Sequence, residues 1–390
     1  MKNEFDRVIP RDGTFSFKFD ERLKVFGRKD VLPLSVADMD FAVPQAVKDA
    51  LMARAAHPIY GYTVYPESLY ESLIGWLDKR HEWRVEREWI VMCPGVVSSL
   101  HAAIIALSKP DDSVIVQPPV YAPFLAAPKS VGCRLLLNPL KFENGRYSFD
   151  LDNFERCAAE GARLLLLCSP HNPVGRVWQP DELRALLEIC RRYGIAVVSD
   201  EIHADLTYPG IHYTPLAVLS DGTVKIITAI APSKTFNIPG LGLSVLIVPD
   251  EKDRVAIARA FGTLHVGAAN PFGIVAFEAA YREGAPWLDG LLEYLDATRL
   301  YVRAFLQKRL PLIKLIEPDG TFLLWLDCRA MQLNDKELER FFVHQAGVGL
   351  SAGIIFGEQG SGFMRMNIAA PLGVIADALE KIANAEHSRK

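Results

Sequence analysis

From Trp89 onward, short apolar runs alternate with stretches in which apolar residues recur every three or four positions. The runs Ile90 to Met92, Ser113 to Gln117, Arg134 to Leu137, Arg163 to Cys168, Ile195 to Ser199, Val224 to Ile230 and Leu243 to Val248 predict strands. Most are apolar at successive positions, as strands covered on both faces must be. Helical spacing fills most of the gaps, as from Val96 to Leu107, Ala122 to Val131 and Pro180 to Tyr193. Strands alternating with helices predict a three-layer αβα fold of the α/β class with a mainly parallel sheet. Ligands of such sheets bind at the carboxyl ends of the strands, so the chemistry is to be sought there.

The flanking stretches read differently. A polar N-terminal arm leads into an extended segment, Leu32 to Phe41, and then into helices from Pro44 to Ala55 and Pro66 to His81. In the second helix Leu69, Leu73, Trp76 and Leu77 share a face. Beyond Pro286 the pattern predicts a long helix from Trp287 to Leu310 and strands near Leu312 to Ile316 and Thr321 to Asp327. A helix from Asn334 to His344, a strand from Phe363 to Ile368 and a last helix follow. A chain of 390 residues is expected to divide in two. We place a large domain at 46–285 and a smaller α+β domain at 286–390, joined by the arm 1–45.

Composition narrows the function. A net charge of -4 with interspersed charges leaves no footprint for nucleic acid. The apolar runs are too short to span a membrane, and the polar start carries no secretory signal. Six cysteines without CxxC spacing read as buried reduced thiols of a cytoplasmic protein. The nine histidines show no metal-binding spacing, so no metal is expected.

Four strand ends carry unusual polar residues. Cys93-Pro94-Gly95-Val96-Val97 leads through glycine into a helix whose free N–H groups suit a phosphate. Ser169-Pro170-His171-Asn172-Pro173 fixes Asn172 between prolines. Asp200-Glu201-Ile202-His203 puts a carboxylate at the end of a buried strand, where it calls for a cation. Ala231-Pro232-Ser233-Lys234 places an amine after another buried strand, where lost solvation lowers its pKa and makes it a nucleophile or base. Each has an ordinary alternative: a packing turn, an Asn-Pro turn, a helix cap, a snorkelling lysine. Together they supply what a phosphorylated pyridine aldehyde requires: a lysine partner, a carboxylate for the ring nitrogen, an amide for the ring oxygen and a phosphate cradle.

With these motifs the chain resembles, over nearly its whole length, fold-type I pyridoxal-phosphate (PLP) enzymes of the aspartate aminotransferase superfamily. Within it the chain is similar to the MalY/PatB group of cystathionine β-lyases. The pointers are Val36-Ala37-Asp38-Met39-Asp40-Phe41, Gly61-Tyr62-Thr63, Pro94-Gly95-Val96-Val97, Asp200-Glu201-Ile202-His203 and Ser233-Lys234-Thr235-Phe236-Asn237. The resemblance implies that Lys234 is the Schiff-base lysine, Asp200 the ring-nitrogen partner and Asn172 the partner of the ring oxygen. It implies Tyr121 stacked on the ring, with Gly95, Val96, Val97, Ser233 and His203 around the cofactor. Arg365 is expected on the substrate α-carboxylate, where its bidentate fork suits the task, with Ala37 beside the substrate. Tyr62 is expected to reach the phosphate from the neighbouring subunit of a homodimer.

The chain also departs from the common aminotransferase pattern. His203 stands where many aminotransferases carry tyrosine, Gly242 where many carry a phosphate-binding arginine, and Ala231 where a hydroxyl residue is frequent. Ser35 replaces the tryptophan common before Val-Ala-Asp in the lyase group. The implied activity is β-elimination from cystathionine or a related cysteine S-conjugate to thiol, pyruvate and ammonia. Transamination is the alternative, and a regulatory protein binding a transcription factor on the same scaffold is a third.

Overall fold

The structure, a computed structural model, describes residues 4–263, 265–267 and 269–389. Its strands, in chain order, begin with β1 (Leu32–Pro33), β2 (Ile90–Cys93), β3 (Ser113–Val116), β4 (Arg134–Leu137), β5 (Lys141–Glu143) and β6 (Arg146–Ser148). Then come β7 (Ala162–Cys168), β8 (Ala196–Asp200), β9 (Ile226–Ile230), β10 (Ser244–Ile247), β11 (Lys314–Ile316) and β12 (Leu323–Asp327). The last are β13 (Val348–Gly349), β14 (Ser351–Ala352) and β15 (Phe363–Asn367).

Seven of them form one sheet in the order β2-β10-β9-β8-β7-β3-β4. Only β10 runs against its neighbours, β9 and β2. Every residue of β3, β9 and β10 is buried, as the unbroken apolar runs predict. Helices cover both faces and divide the packing into separate apolar clusters. One holds Leu100 and Ile104 against Val114, Val116 and Val198; another holds Leu183, Leu186 and Leu187 with Leu165 and Val197. The register pairs Cys168 with Asp200 and Asp200 with Ala229, so β7, β8 and β9 end at one level. Reversal of β10 brings its first residue, Ser244, opposite Cys93 at that same edge.

The second sheet is antiparallel, in the order β11-β12-β15-β14. Trp325 of β12 stacks on Phe363 with ring centroids 5.2 Å apart. The arm joins this part of the molecule, because β1 pairs in parallel with β13. Gly349 of β13 permits this contact. A Cβ there would lie 2.5 Å from the ring of Phe26.

Four expectations shift. The predicted helix from Asn334 to His344 is α-helical only over Asp335–Arg340 and widens into a π turn over Phe341–Gln345. Phe341, Phe342 and Val343 are all buried there, and a wider turn lets three successive apolar side chains face inward. The strand predicted from Val224 begins at Ile226, and the one predicted to end at Ser199 continues through Asp200. The extended segment Leu32 to Phe41 pairs as a strand only at β1; beyond it, side chains and isolated backbone bonds, such as that from the Asp40 N–H to the Ala369 carbonyl, hold it in place.

Candidate active site

Four of the strand-end features open onto one cleft of about 500 Å³ at the carboxyl edge of the large sheet. Gly95, Val96 and Val97 line it from the loop after β2, Asn172 from the loop after β7, Asp200 and His203 from the end of β8, and Ser233 and Lys234 from the turn after β9. Tyr121 and Ala37 complete this set. The sequence elements therefore converge because adjacent parallel strands end together.

Lys234 sits in the one-turn helix Pro232–Thr235. The turn is anchored by Phe236, fully buried against Trp76, Tyr281 and Trp287. The Lys234 Nζ donates to the carbonyl of Ala37 at 2.7 Å. Burial, aided by the charge of Arg365 and opposed by Asp38 and Asp200, pulls the amine down to about 8. Asp200 is buried, and its Oδ1 accepts the Ile202 N–H at 3.1 Å. Burial and the neighbouring Glu201 push its carboxyl up to about 7. His203 is also buried; its Nδ1 lacks a partner, and burial near Lys234 and Arg365 takes the ring down to about 3.

Arg365 does not line the cleft itself but backs it. Its Nη1 donates to the Asn172 Oδ1 at 3.1 Å, its Nη2 to the Ser35 carbonyl at 2.6 Å and to the Ser351 Oγ at 3.2 Å. The Nε is unpaired. Asn172 thereby has its oxygen engaged, leaving its Nδ2 with no partner among the described residues. Tyr121 lies half-exposed, its N–H donating to the Asn172 carbonyl at 3.1 Å. Val96 and Val97 open the helix Val96–Leu107, where the first N–H groups have no intrahelical acceptor. Gly242, at φ +57°, turns the chain back into β10, and a Cβ there would meet the Pro94 carbonyl at 3.4 Å. Tyr62 is not brought into the cleft and is fully exposed.

Sequence reasoning missed what holds Ala37. Arg11 bridges Asp38 at 2.7 Å and Asp40 at 2.6 Å, and the buried Lys18 pairs with Asp40 at 2.8 Å. The Asn237 Nδ2 donates to the carbonyls of Met39 and Phe41, and the Met39 N–H donates to its Oδ1. The Asn367 Nδ2 donates to the carbonyls of Val36 and Asp38. The two acids were visible in the Val36–Phe41 motif. Their basic partners, some twenty or more residues earlier, had no local signal.

Lys234, Asp200 and Arg365 thus share a feature: among the described residues none has an ion-pair partner, though all three lie in or behind the same cleft. Buried charges ordinarily pair. A site that withholds partners from two cations and one anion is suited to a ligand carrying both signs.

Comparison with known proteins agrees with this geometry. The model of the family described as aminotransferase class I and II matches residues 29–382. The chain is 42% identical to cystathionine beta-lyase PatB of Bacillus subtilis, over 97% of this chain and 98% of that protein. Crystalline cystalysin from Treponema denticola, which contains a pyridoxal 5'-phosphate cofactor, superposes with a TM-score of 0.96 at 34% identity, covering 100% of both chains. The PLP-bound C-S lyase from Staphylococcus hominis does so with a TM-score of 0.89 at 32% identity, covering 98% of each. With the layered sheet and the convergent cleft, these likenesses show that the chain belongs to the aminotransferase class I and II family.

Proposed function

We propose that the protein is a PLP-dependent carbon–sulfur lyase acting on cystathionine or a related cysteine S-conjugate to give thiol, pyruvate and ammonia. The observation that carries this reading is the unpaired set Lys234, Asp200 and Arg365 around one cleft, in a chain this similar to a cystathionine beta-lyase. The residues fit the cofactor. Asp200 is a buried carboxylate awaiting a cation such as a protonated pyridine nitrogen, and the Asn172 Nδ2 is a free donor for the ring oxygen. The Val96 and Val97 N–H groups and Ser233 suit the phosphate, Tyr121 the ring face, and His203 has an unmatched nitrogen nearby.

Bound there, PLP supplies an electron sink for the pair left behind when the substrate's Cα proton departs. Lys234 would hold the cofactor, and its amine would take that proton. A pKa near 8 leaves part of the amine neutral at physiological pH, as a base requires. Asp200, as the carboxylate, would pair with the protonated ring nitrogen and favour its proton there. Arg365 grips the α-carboxylate beside Ala37, fixing the Cα–H bond toward Lys234. A thiolate on Cβ would leave with the C–S bonding pair as the Cα pair forms the Cα=Cβ bond, and hydrolysis of the released enamine would give pyruvate and ammonia.

Transamination is the second reading, favoured by the match to a family of aminotransferases. One experiment separates them. The purified enzyme receives L-cystathionine and, separately, an amino acid with 2-oxoglutarate. Pyruvate with free thiol is expected in the first; glutamate in the second without pyruvate in the first would replace lyase by transaminase.

We further propose a cytoplasmic homodimer in which Tyr62 completes the neighbour's site. Ile59, Tyr60, Tyr62 and Val64 form an apolar, exposed loop that a second subunit would cover. Six free, buried cysteines suit a reducing compartment. The division into a large part, 46–285, and a small part, 286–390, joined by the arm 1–45, accords with Arg365 and Ser35 reaching the site from outside the large sheet.

A further inference from the structure

Behind the cleft, the carboxylate of Asp205 is buried and receives hydrogen bonds from three side chains on two helices. The Trp76 Nε1 and the His81 Nε2 donate to its Oδ1 at 3.0 and 2.8 Å, both from the helix Glu67–His81. The Thr235 Oγ1 donates to its Oδ2 at 2.7 Å. Burial alone would raise this carboxyl, but the bond and charge of His81, with the bonds of Thr235 and Trp76, outweigh it and hold the group below its ordinary value. The His81 ring meets the edge of Tyr213 at 5.1 Å, and the Tyr213 hydroxyl donates to Glu201, the residue after Asp200.

Thr235 directly follows Lys234. The backbone on that side of the lysine is therefore fixed at three successive residues: Thr235 by Asp205, Phe236 by the aromatic core, and Asn237 by the segment that presents the Ala37 carbonyl to the amine. We propose that Asp205, oriented by His81, is a positioning residue that acts through Thr235 to hold Lys234 in its reactive pose. The inference rests on the reading of Lys234 as the reacting, cofactor-bearing amine. Two helices converge on one carboxylate whose only hydrogen-bonded link toward the cleft, among the described residues, is the hydroxyl beside the lysine. A merely structural carboxylate needs no such link.

The test uses holoenzyme of the wild type and of Thr235→Val, Thr235→Ser and Asp205→Asn. Borohydride reduction and peptide mapping first locate the cofactor-bearing lysine. The pH midpoint of the visible band of the lysine-linked cofactor is then titrated, and kcat and KM are measured with L-cystathionine. The groups facing Lys234 whose charges act on the same titration are Asp38, Asp200, His203 and Arg365, and these are unaltered. Thr235→Val is expected to lower kcat about tenfold while KM stays within about twofold. Its midpoint should rise by about half a pH unit or more, as the less tightly held lysine nitrogen gains solvation of its protonated form. Thr235→Ser, which keeps the hydroxyl, should restore both. Asp205→Asn should move both further in the same direction. Thr235→Val, which removes only one bond, decides the matter if Asp205→Asn does not fold. A label on a lysine other than Lys234 would remove the underlying reading. A label on Lys234 with an unmoved midpoint and unmoved kcat in Thr235→Val would overturn the positioning role alone.

Discussion

Arg365 is buried with no ion-pair partner among the described residues, held by an amide oxygen, a carbonyl and a hydroxyl. Burial lowers its pKa to about 10, which still leaves it cationic at neutral pH. A lysine there keeps a charge but loses the fork that reaches Asn172 and Ser35 together. We expect Arg365→Lys to lower kcat/KM by about 2 kcal/mol in transition-state stabilisation, chiefly through KM, and Arg365→Ala to cost about 2–5 kcal/mol. Steady-state kinetics with unchanged kcat/KM in the alanine variant would remove Arg365 from substrate binding. Glu201 yields a pH prediction. Burial raises its carboxyl from 4.5 to about 7, against the bonds from Tyr213, Ser199 and Leu216. The folded chain then binds more protons than the unfolded one across that window. Its contribution to stability is complete below pH 4.5 and is lost as pH rises through about 7. Urea midpoints measured at pH 5 and pH 7.5 should differ less in Glu201→Gln than in the wild type. Equal slopes would show that Glu201 stays ionised in the fold.

At the scale of elements, the pair β1–β13 depends on the absence of a side chain at Gly349. Gly349→Ala should push Phe26 aside and cost about 1–3 kcal/mol of stability, and Phe26→Leu in the same chain should recover part of it. A thermal scan showing Gly349→Ala as stable as the wild type would mean that the arm yields freely. Element by element, the strands of the large sheet were legible because burial on both faces demands unbroken apolar runs, as in Ile226–Ile230. Helix Val96–Leu107 was legible to the residue because a glycine precedes it and a serine follows. The reversal of β10 was not, since an apolar strand reads alike in either direction. Nor was the hairpin β5–β6, whose half-exposed, polar strands lack a run to detect. In the site, Lys234, Asp200 and Asn172 were legible because each is a polar residue at or just beyond the end of an apolar strand. Arg11, Lys18 and Asp205 were not: their meaning lies in partners 20 to more than 120 residues away.

For the whole molecule, the decisive test of the proposed dimer is subunit mixing. Lys234→Ala and Tyr62→Ala homodimers should each be impaired. In a mixed dimer the Lys234→Ala subunit lends its intact Tyr62 to the partner's intact Lys234, so one complete site returns. Activity no greater than the parental average would assign Tyr62 to its own subunit. The segment 36–41 bears on a different property. It is tied to the arm by Arg11 and Lys18, to the lysine turn by Asn237 and to β15 by Asn367, and its Ala37 carbonyl is the acceptor for the Lys234 amine. Such a strip behaves as a taut cord fastened to both sheets. A tilt of the small sheet against the large one would pull on both fastenings, and the Ala37 carbonyl that accepts from the amine lies between them. Were the angle between the two sheets to change, the position of the Lys234 amine would change with it.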